Sequence, residues 1–507
     1  MVFCGMACLF LVRVSYGQAP QTSTLRFGIR NDVSTLNPFV NTAAQDHDVR
    51  TLIYEPLLLE DKSYQIRPYL AEAWEISKDG FVYTFNLKKG VTFHNGKGLG
   101  ADDVRWSIEY GQQPKNLAYG GAELQTIASV EVLEPYRIRL TLREPMASFL
   151  SLMTTLQTLP ILPKDSLITG EKPKVFPPGT GPYRFEQWKP GQELVLTRFA
   201  GYWQRGLPKI ERLEIKIVTD PEARFLALRA GEFDLIEKMP PQHVSKIQNG
   251  EIRDIKAAIA EGSGIQGLVF NTKKPPFDNV KIRQVVAHAV DPEEILKGAY
   301  WGIGSVVNQK MFPGSPWYFP VPERKRDLSK AKLLLKDAGY GPGFRVKLSG
   351  GQQAERELAI VQSELREAGV EVEIQLRDPP THRVSLRNGE FEFATTGANI
   401  FLDPDQNYFD YFHTEAGEGS RGRNTSRYSS LRVDRLLEEG WKNLDPQKRR
   451  KIYREFVELI HHEVPVLYYL ISPNVFGYRP QLIGFEARGQ GRFFSGDMGI
   501  PFARLER

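Results

Sequence analysis

The sequence predicts a mixed α/β protein that contains several sheets. Three observations lead to this prediction. The first part of the chain alternates apolar and polar residues in paired strands, the later part alternates helices with strands, and 507 residues allow about three domains. Hairpins and helix–strand units occur together in proteins of this class.

The early segments have the period of half-buried β-strands. Residues 81–87 place a large apolar side chain at every second position, so these side chains share one face. Residues 88–90 are predicted to turn this strand into a partner at 91–93. Two further hairpins are predicted, one over residues 130–142 and one around the turn at 189–191.

Later segments carry start and stop signals of helices. Asp220 and Pro221 are a capping residue and a first-turn proline, and Gly231 ends the helix before a strand at 233–236. The same pattern predicts helices that end at Gly339 and Gly369. The other predicted helices span 327–338, 355–368, 433–441 and 449–462, and a strand is predicted at 370–376.

Charge and cysteine content exclude several classes of function. Lys and Arg number 66 against 61 Asp and Glu, and they are not gathered in a basic block, so no nucleic-acid partner is expected. Both cysteines, Cys4 and Cys8, fall in the first eight residues. The body of the protein therefore has no disulfide framework, cysteine metal site or thiol nucleophile, and no cofactor is expected.

The N-terminus has the pattern of an export signal. An apolar run over residues 2–12 is too short to span a bilayer, and the small residues Ser15 and Gly17 precede polar Gln18. We therefore expect a signal peptide at residues 1–17 and a periplasmic protein. A buried N-terminal strand is the alternative. The absence of a positively charged start leaves the true start codon open.

Common catalytic signatures are absent from the sequence. It has no Gly-x-Ser-x-Gly, His-Glu-x-x-His, Gly-x-Gly-x-x-Gly or phosphate-loop motif. The adjacent pair His461 and His462 would point about 100° apart on a helix and so make a poor chelate. Paired carboxylates distant in the chain keep a secreted hydrolase as a remote alternative.

Ordered stretches spread over about residues 30–480 match one known family. The most specific run is Tyr54-Glu55-Pro56-Leu57 followed by residues 68–80. With these matches the chain resembles the family 5 solute-binding proteins of bacterial ABC importers, which bind dipeptides, oligopeptides or nickel. The other matching stretches are 83–85, 90–96, 101–104, 179–183, 229–234, 270–271, 276–278, 283–286, 330–334 and 338–340, with Asn424, Tyr428 and Asp434.

The resemblance implies a two-lobed periplasmic-binding-protein-like fold of the large type, with an inserted third domain and a ligand cleft between lobes joined by a hinge. Such a receptor closes on its solute and delivers it to a membrane permease driven by ATPase subunits, without catalysis and usually as a monomer. The implied parts are lobe one at 24–58, 182–266 and 473–507, the inserted domain at 59–181, and lobe two at 267–472.

Candidate ligand contacts come from loops that would face this cleft. In lobe one they follow the first predicted strand, and in lobe two they follow the helix at 292–299 or lie within 397–411. One candidate belongs to the inserted domain and one to the matching stretch 270–271. The candidates are Asp32, Ser34, Thr35, Tyr119, Asn271, Trp301, Asn399, Asp403 and Tyr408.

One stretch departs from the family pattern. In peptide-binding members the stretch ending at Asp403-Pro404 resembles Trp-x-Ala-Asp-x-x-(Asp/Glu)-Pro, whose first Asp pairs with the α-ammonium of the peptide. Counting back places Ile400 at that Asp and Gly397 at the Trp. A buried ammonium without a counter-charge costs several kcal/mol. A peptide-like solute is the leading expectation, either held by Asp403 or lacking a free amine, and an oligosaccharide, an opine-like conjugate or a metal complex is the alternative.

Overall fold

The structure is a computed structural model, and it describes residues 23–40, 44–61, 63–113, 121–156, 158–167, 173, 175–417, 423–487, 493–494 and 496–506. The predicted signal peptide and its cleavage site at Gly17 lie outside the described residues. Within the described parts, no helix is both long and apolar enough to cross a membrane.

Strands and helices alternate through the described chain. The strands are β1 Thr24–Ile29, β2 Leu58–Glu60, β3 Ile66–Pro68, β4 Ala71–Ile76, β5 Val82–Leu87, β6 Ile127–Glu134, β7 Arg137–Leu142, β8 Tyr183–Lys189, β9 Glu193–Arg198, β10 Arg212–Ile217, β11 Leu235–Ile236, β12 Lys256–Phe270, β13 Ser305–Val306, β14 Phe344–Gly351, β15 Val370–Arg377, β16 Phe393–Asn399, β17 Val466–Tyr478, β18 Leu482–Ile483 and β19 Arg504–Leu505. The helices are α1 Ala44–Arg50, α2 Ala101–Gln112, α3 Gly121–Leu124, α4 Phe149–Leu152, α5 Pro221–Arg229, α6 Val244–Gln248, α7 Val280–Ala289, α8 Pro292–Tyr300, α9 Leu328–Asp337, α10 Glu355–Glu367, α11 Pro379–Asn388, α12 Pro404–Phe412, α13 Leu431–Lys442 and α14 Pro446–Glu463.

The predicted hairpins are confirmed in two cases and wrong in one. β6 pairs with β7 and β8 pairs with β9, both antiparallel. The strand predicted at 81–87 exists as β5, but its partners are β4 and β7 in a four-stranded sheet of order β4-β5-β7-β6. Residues 91–93 instead lead into a short local turn, in which the backbone N–H of Phe93 donates to the carbonyl of Lys97 and Thr92 bridges Gly98. Apolar alternation identifies a strand but not the strand it pairs with.

The predicted helix signals act as expected. The carboxylate of Asp220 accepts a hydrogen bond of 2.6 Å from the backbone N–H of Ala223, which satisfies an otherwise unpaired donor of the first turn of α5. Gly231 follows this helix with a φ of 79°, a left-handed conformation that glycine adopts without strain. The predicted helices and strand at 327–376 are present as α9, α10 and β15.

One large sheet runs through both halves of the molecule. Its strand order is β15-β14-β16-β12-β17-β11-β1-β10-β9-β8, with β13 beside β17. The long strands β12 and β17 pair with each other, and the register between them is interrupted between Ala260 and Gly264, opposite Asn474 and Ser472. This interruption, the hinge bulge, divides the sheet into two parts.

Separate apolar cores pack on the two parts of the sheet. Here lobe one denotes β1, β8–β11 and residues 256–260 and 474–478, with α1, α5 and α6; lobe two denotes β13–β16, residues 264–270 and 466–472, and helices α7–α14. The inserted domain denotes β4–β7 with α2–α4, which has its own core around Phe85 and Phe93. Residues such as Phe27 form the main core of lobe one, and Phe393 belongs to that of lobe two. The domain boundaries predicted from the sequence stay predictions.

Candidate functional site

The two lobes point the carboxyl ends of their strands at each other. β11 and β12 are both antiparallel to β17, so β11 and its parallel neighbour β1 run toward lobe two. β16 is antiparallel to β12, and β14 is parallel to β16, so these strands run toward lobe one. In open α/β sheets, ligands bind in the crevice at the carboxyl ends of strands. The candidate site is therefore the cleft between these two edges, beside the hinge bulge.

The edge of lobe one carries charged side chains directly after β11. The carboxylate of Glu237 is buried and accepts the backbone N–H of Arg30 at 2.7 Å. The ammonium of Lys238 donates to the side-chain oxygen of Asn474, which is on β17 next to the hinge bulge. Lys238 is exposed to solvent, although protein surrounds it and this burial lowers its pKa. Solvent access combined with surrounding protein is what a side chain in a cleft experiences.

The predicted loop after β1 also lies at this edge, and hydrogen bonds hold it in place. Asp32 accepts from the indole N–H of Trp188 at 3.0 Å and from the backbone N–H of Gly191 at 2.7 Å. The hydroxyl of Ser34 donates to Asp46 at 2.5 Å. Asp32 therefore fastens the loop to the β8–β9 turn, whereas Ser34 is exposed.

Thr35 belongs to the same loop. Its hydroxyl oxygen accepts the backbone N–H of Asn37 at 3.1 Å, and the residue is half-buried. This local hydrogen bond closes a short turn, a common role of threonine in loops. Roles of Asp32, Ser34 and Thr35 in binding a ligand stay predictions.

The edge of lobe two presents neutral polar groups beside the hinge bulge. Asn399 ends β16, is half-buried and stands opposite Gly264 in the register. The amide N–H of Gln266 donates to the hydroxyl of Ser472 at 3.4 Å. The Gln266 side chain also lies beside Gly397, where a built Cβ would come within 3.3 Å of its amide oxygen. Gln266 thus lies next to Gly397, the position that corresponds to the Trp of the peptide-binding family pattern.

Trp301 lies at the same edge, on the helix α8 side. It ends that helix with a φ of 54°, and the guanidinium of Arg356 stacks over its ring at 4.6 Å from the centroid. The residue is 37% exposed. Trp301 and Arg356 together form an exposed cationic and aromatic pair, and their contact with a ligand stays a prediction.

Ile400 and Tyr408 are buried in lobe two. Ile400 is 1% exposed and packs in the same apolar core as Tyr408 and Phe412. Position 400 therefore offers no charge to the α-ammonium of a peptide. Its neighbour Asn399, the last residue of β16, is half-buried and polar.

The carboxylate of Asp403 is committed within lobe two. Both of its oxygens accept from Arg449, at 2.7 and 2.5 Å, and one also caps α12 through the backbone N–H of Asp405 at 2.9 Å. Arg449 binds Asp405 as well, at 2.7 Å. Burial alone would lower the pKa of Arg449, but these two carboxylates raise it overall. The structure gives Asp403 a structural role in place of the predicted counter-charge for an ammonium.

Two other sequence candidates do not join the cleft. The amide of Asn271 follows β12 at its end far from the hinge bulge, is buried, and donates to the carbonyl oxygens of Gly389 and Phe391 at 3.1 and 3.3 Å. Tyr119 lies outside the described residues.

Contacts also cross the cleft to lobe two, from the inserted domain and from the loop between β2 and β3. The hydroxyl of Ser151 donates to the amide oxygen of Gln406 at 2.7 Å. The rings of Tyr64 and Phe312 stack with centroids 5.3 Å apart. In this conformation the two sides of the cleft therefore touch at points away from the hinge bulge.

Sequence reasoning missed four residues that the structure places beside the hinge bulge: Lys238, Gln266, Ser472 and Asn474. A signal for Lys238 was present, since it follows a predicted strand just as Asp32 does. Gln266, Ser472 and Asn474 lie within two long strands, and only the pairing of those strands shows which of their positions meet at the bulge.

Comparison with known proteins defines the class. Residues 65–420 match the bacterial extracellular solute-binding proteins, family 5 middle region. The chain belongs to this family. It is a solute-binding protein of the kind that serves ABC importers, and the predicted two-lobed fold is confirmed. Members of the family are periplasmic, bind small-molecule or peptide ligands and work with ABC permeases.

Individual relatives differ in what they bind. The glutathione-binding protein GsiB of Salmonella typhimurium strain LT2 is 27% identical over 470 residues, which cover 90% of each chain. The solved structure of DppA from Helicobacter pylori in complex with the peptide STSA is 26% identical, has a TM-score of 0.81 and covers 96% of this chain and 98% of its own. AgaA from A. tumefaciens R10, in complex with agropinic acid, is 27% identical with a TM-score of 0.81, covering 96% and 99%. These relatives are substrate-binding receptors.

Proposed function

We propose that this protein captures a peptide-like solute in the cleft by closure of the lobes about the hinge bulge. The observation that carries the proposal is the pair of facing strand edges, which place charged groups of lobe one opposite the amides and hydroxyls that lobe two presents beside the hinge bulge. Solute sites of this kind need a few well-placed polar groups inside an enclosed cleft.

Closure requires contacts from both edges. If the open form of the free protein dominated by 99:1, a ligand would have to favour the closed form by ~5.5 kcal/mol to reverse that ratio. Two or three charge-assisted hydrogen bonds, each worth ~1.5–3 kcal/mol, supply this amount. Lys238 on lobe one and Asn399 on lobe two are the side chains that we assign to such contacts.

A peptide-like solute is the first choice because the relatives include a glutathione-binding protein and a peptide complex. An opine-like conjugate is the second candidate. It is supported by the complex of AgaA with agropinic acid, whose sequence identity of 27% equals that of the glutathione-binding relative.

The proposal also covers export, oligomeric state and delivery of the solute. The mature protein begins at Gln18 after export to the periplasm, acts as a monomer without catalysis, and delivers its solute to a permease with ATPase subunits. The chain crosses between the lobes twice at the hinge bulge, a few residues before 267 on β12 and next to 472 on β17, close to the boundaries that the family resemblance implies.

A thermal melt of refolded, ligand-free protein tests the proposal. Four probes are compared: reduced glutathione, a pool of free dipeptides, the same pool N-acetylated, and agropinic acid. A ligand at 100 times its dissociation constant adds ~2.7 kcal/mol to stability, which raises Tm by several degrees. We expect the shift with glutathione or free dipeptides. A shift with agropinic acid alone supports the second candidate, and no shift with any probe contradicts both.

A further inference from the structure

The backbone conformation of Lys238 sets the direction in which its side chain leaves the lobe-one edge of the cleft. Its φ is 47°, a left-handed conformation that is uncommon for residues other than glycine, asparagine and aspartate. The residues on both sides, Glu237 and Met239, are buried, whereas Lys238 is exposed. The turn after β11 therefore directs a single ammonium group out of the sheet edge and toward β17.

The ammonium of Lys238 has more N–H donors than its hydrogen bond to Asn474 uses. A lysine ammonium carries three N–H donors, and among the described residues the ammonium of Lys238 donates to the side chain of Asn474. Asn474 is on the lobe-one side of the hinge bulge. A group bound to Lys238 would therefore sit beside the strands that must bend when the lobes close.

Charged groups of both signs surround Lys238. The groups that interact with it are the carboxylates of Glu237 and Asp48 and the guanidinium of Arg30. Arg224 faces Glu237, and the carboxylate of Asp220 acts on Arg224 in turn. With Lys238 included, these six groups are three cations and three anions.

A singly charged anion suits this environment better than a doubly charged one. A phosphate would bring its second charge near Asp48 and Glu237, since both carboxylates act on Lys238. A carboxylate needs one counter-charge and two acceptor oxygens for N–H donors. Peptides, glutathione and opines all carry such a group.

We infer that Lys238 binds a carboxylate of the solute at the floor of the cleft and so makes the protein selective for acids over the corresponding amides. This inference rests on the proposed function, because it needs a solute in that cleft. It adds the ligand group that the lobe-one edge recognises.

The test compares a pool of free dipeptides with the same dipeptides amidated at the C-terminus, by calorimetric titration of the mature protein. We expect the wild type to bind the acids about 10–100-fold more tightly than the amides, the effect of one charge-assisted hydrogen bond. Lys238→Met should bind both forms with the weaker affinity. Lys238→Arg keeps the charge and should retain much of the preference.

Lys246→Met is the matched control, because Lys246 is an exposed lysine on α6 of the same lobe. It should behave as the wild type does. Equal binding of acids and amides by the wild type, or an unchanged preference in Lys238→Met, overturns the inference and leaves the proposed function standing. Binding of neither pool contradicts the proposal of a peptide-like solute and, with it, this inference.

Discussion

The two lobes use similar charged residues at their strand ends in different ways. In lobe one, Lys238 follows a strand and its ammonium lies exposed at the cleft. In lobe two, Asp403 also follows a strand, but Arg449 of the same lobe binds both of its oxygens and the pair is buried. The difference teaches that a charge near a strand end is a ligand candidate only if its own lobe has not already neutralised it.

The strongest test of this comparison removes Arg449, the cation that binds Asp403 and Asp405. Arg449→Met leaves Asp403 and Asp405 buried without their partner, and loss of one side of a buried ion pair typically costs about 3–5 kcal/mol. We expect the free energy of unfolding to fall by that amount in urea titrations. A small loss would mean that the carboxylates of lobe two are not structural.

A matched control lies on the neighbouring helix. Arg432 pairs with Glu455 on the surface, with side chains 66% and 45% exposed, so Arg432→Met should cost less than about 1 kcal/mol. If Arg432→Met and Arg449→Met lowered stability equally, the contrast between the buried pair and an ordinary surface pair would fail.

A second, smaller effect concerns another buried acid of lobe two. Burial raises the pKa of Glu364 to about 7 from its ordinary 4.5, and the carboxyl accepts the backbone N–H of Asp291 at 3.0 Å. A raised pKa of an acid means that its contribution to stability is present below about pH 4.5 and is lost as the pH rises through 7. The wild type should therefore lose on the order of 2–3 kcal/mol over this range through this group.

Urea unfolding at pH 4.5, 6 and 8 measures this dependence. Glu364→Gln should flatten the pH profile, whereas Glu355→Gln, at an exposed position near the start of the same helix, should leave it unchanged. Identical profiles for the wild type and Glu364→Gln would show that Glu364 titrates as an ordinary surface glutamate.

The smallest expected effect tests the neutral edge of the cleft. Asn399→Ala removes one neutral hydrogen-bonding group, worth ~0.5–1.5 kcal/mol, so the affinity for the dipeptide pool should fall about 2–10-fold. Asn388→Ala, an exposed asparagine at the end of α11, is the control and should bind as the wild type does. A loss larger than that of Lys238→Met would reverse the assignment of the charged end of the solute to lobe one.

Local signals in the sequence predicted much of the fold. Caps such as Asp220 and stops such as Gly231 act within a few residues of their own position, so the helices they bound were found. The partners of β5 were not, because pairing depends on segments far away in the chain. The family resemblance supplied the two-lobed arrangement, which no local signal contains.

The site was harder to predict for physical reasons. Asn399 and Ile400 are neighbours in the chain, yet Asn399 is half-buried at the end of β16 and Ile400 is buried in an apolar core, a difference that tertiary packing alone decides. The partner of Asp403 lies 46 residues further along the chain. The exposure of Lys238 depends on a left-handed backbone conformation that the neighbouring residues in the sequence do not predict.

Closure of the cleft on a solute is the central claim, and trapping by paired cysteines tests it most directly. Ser151 and Gln406 contact each other across the cleft, and the native cysteines lie in the predicted signal peptide. In mature protein carrying Ser151→Cys and Gln406→Cys, a short bifunctional maleimide should bridge the two thiols faster when the free dipeptide pool is present. An unchanged rate with a pool that raises Tm would show that solute binds without closing the lobes, which contradicts the account.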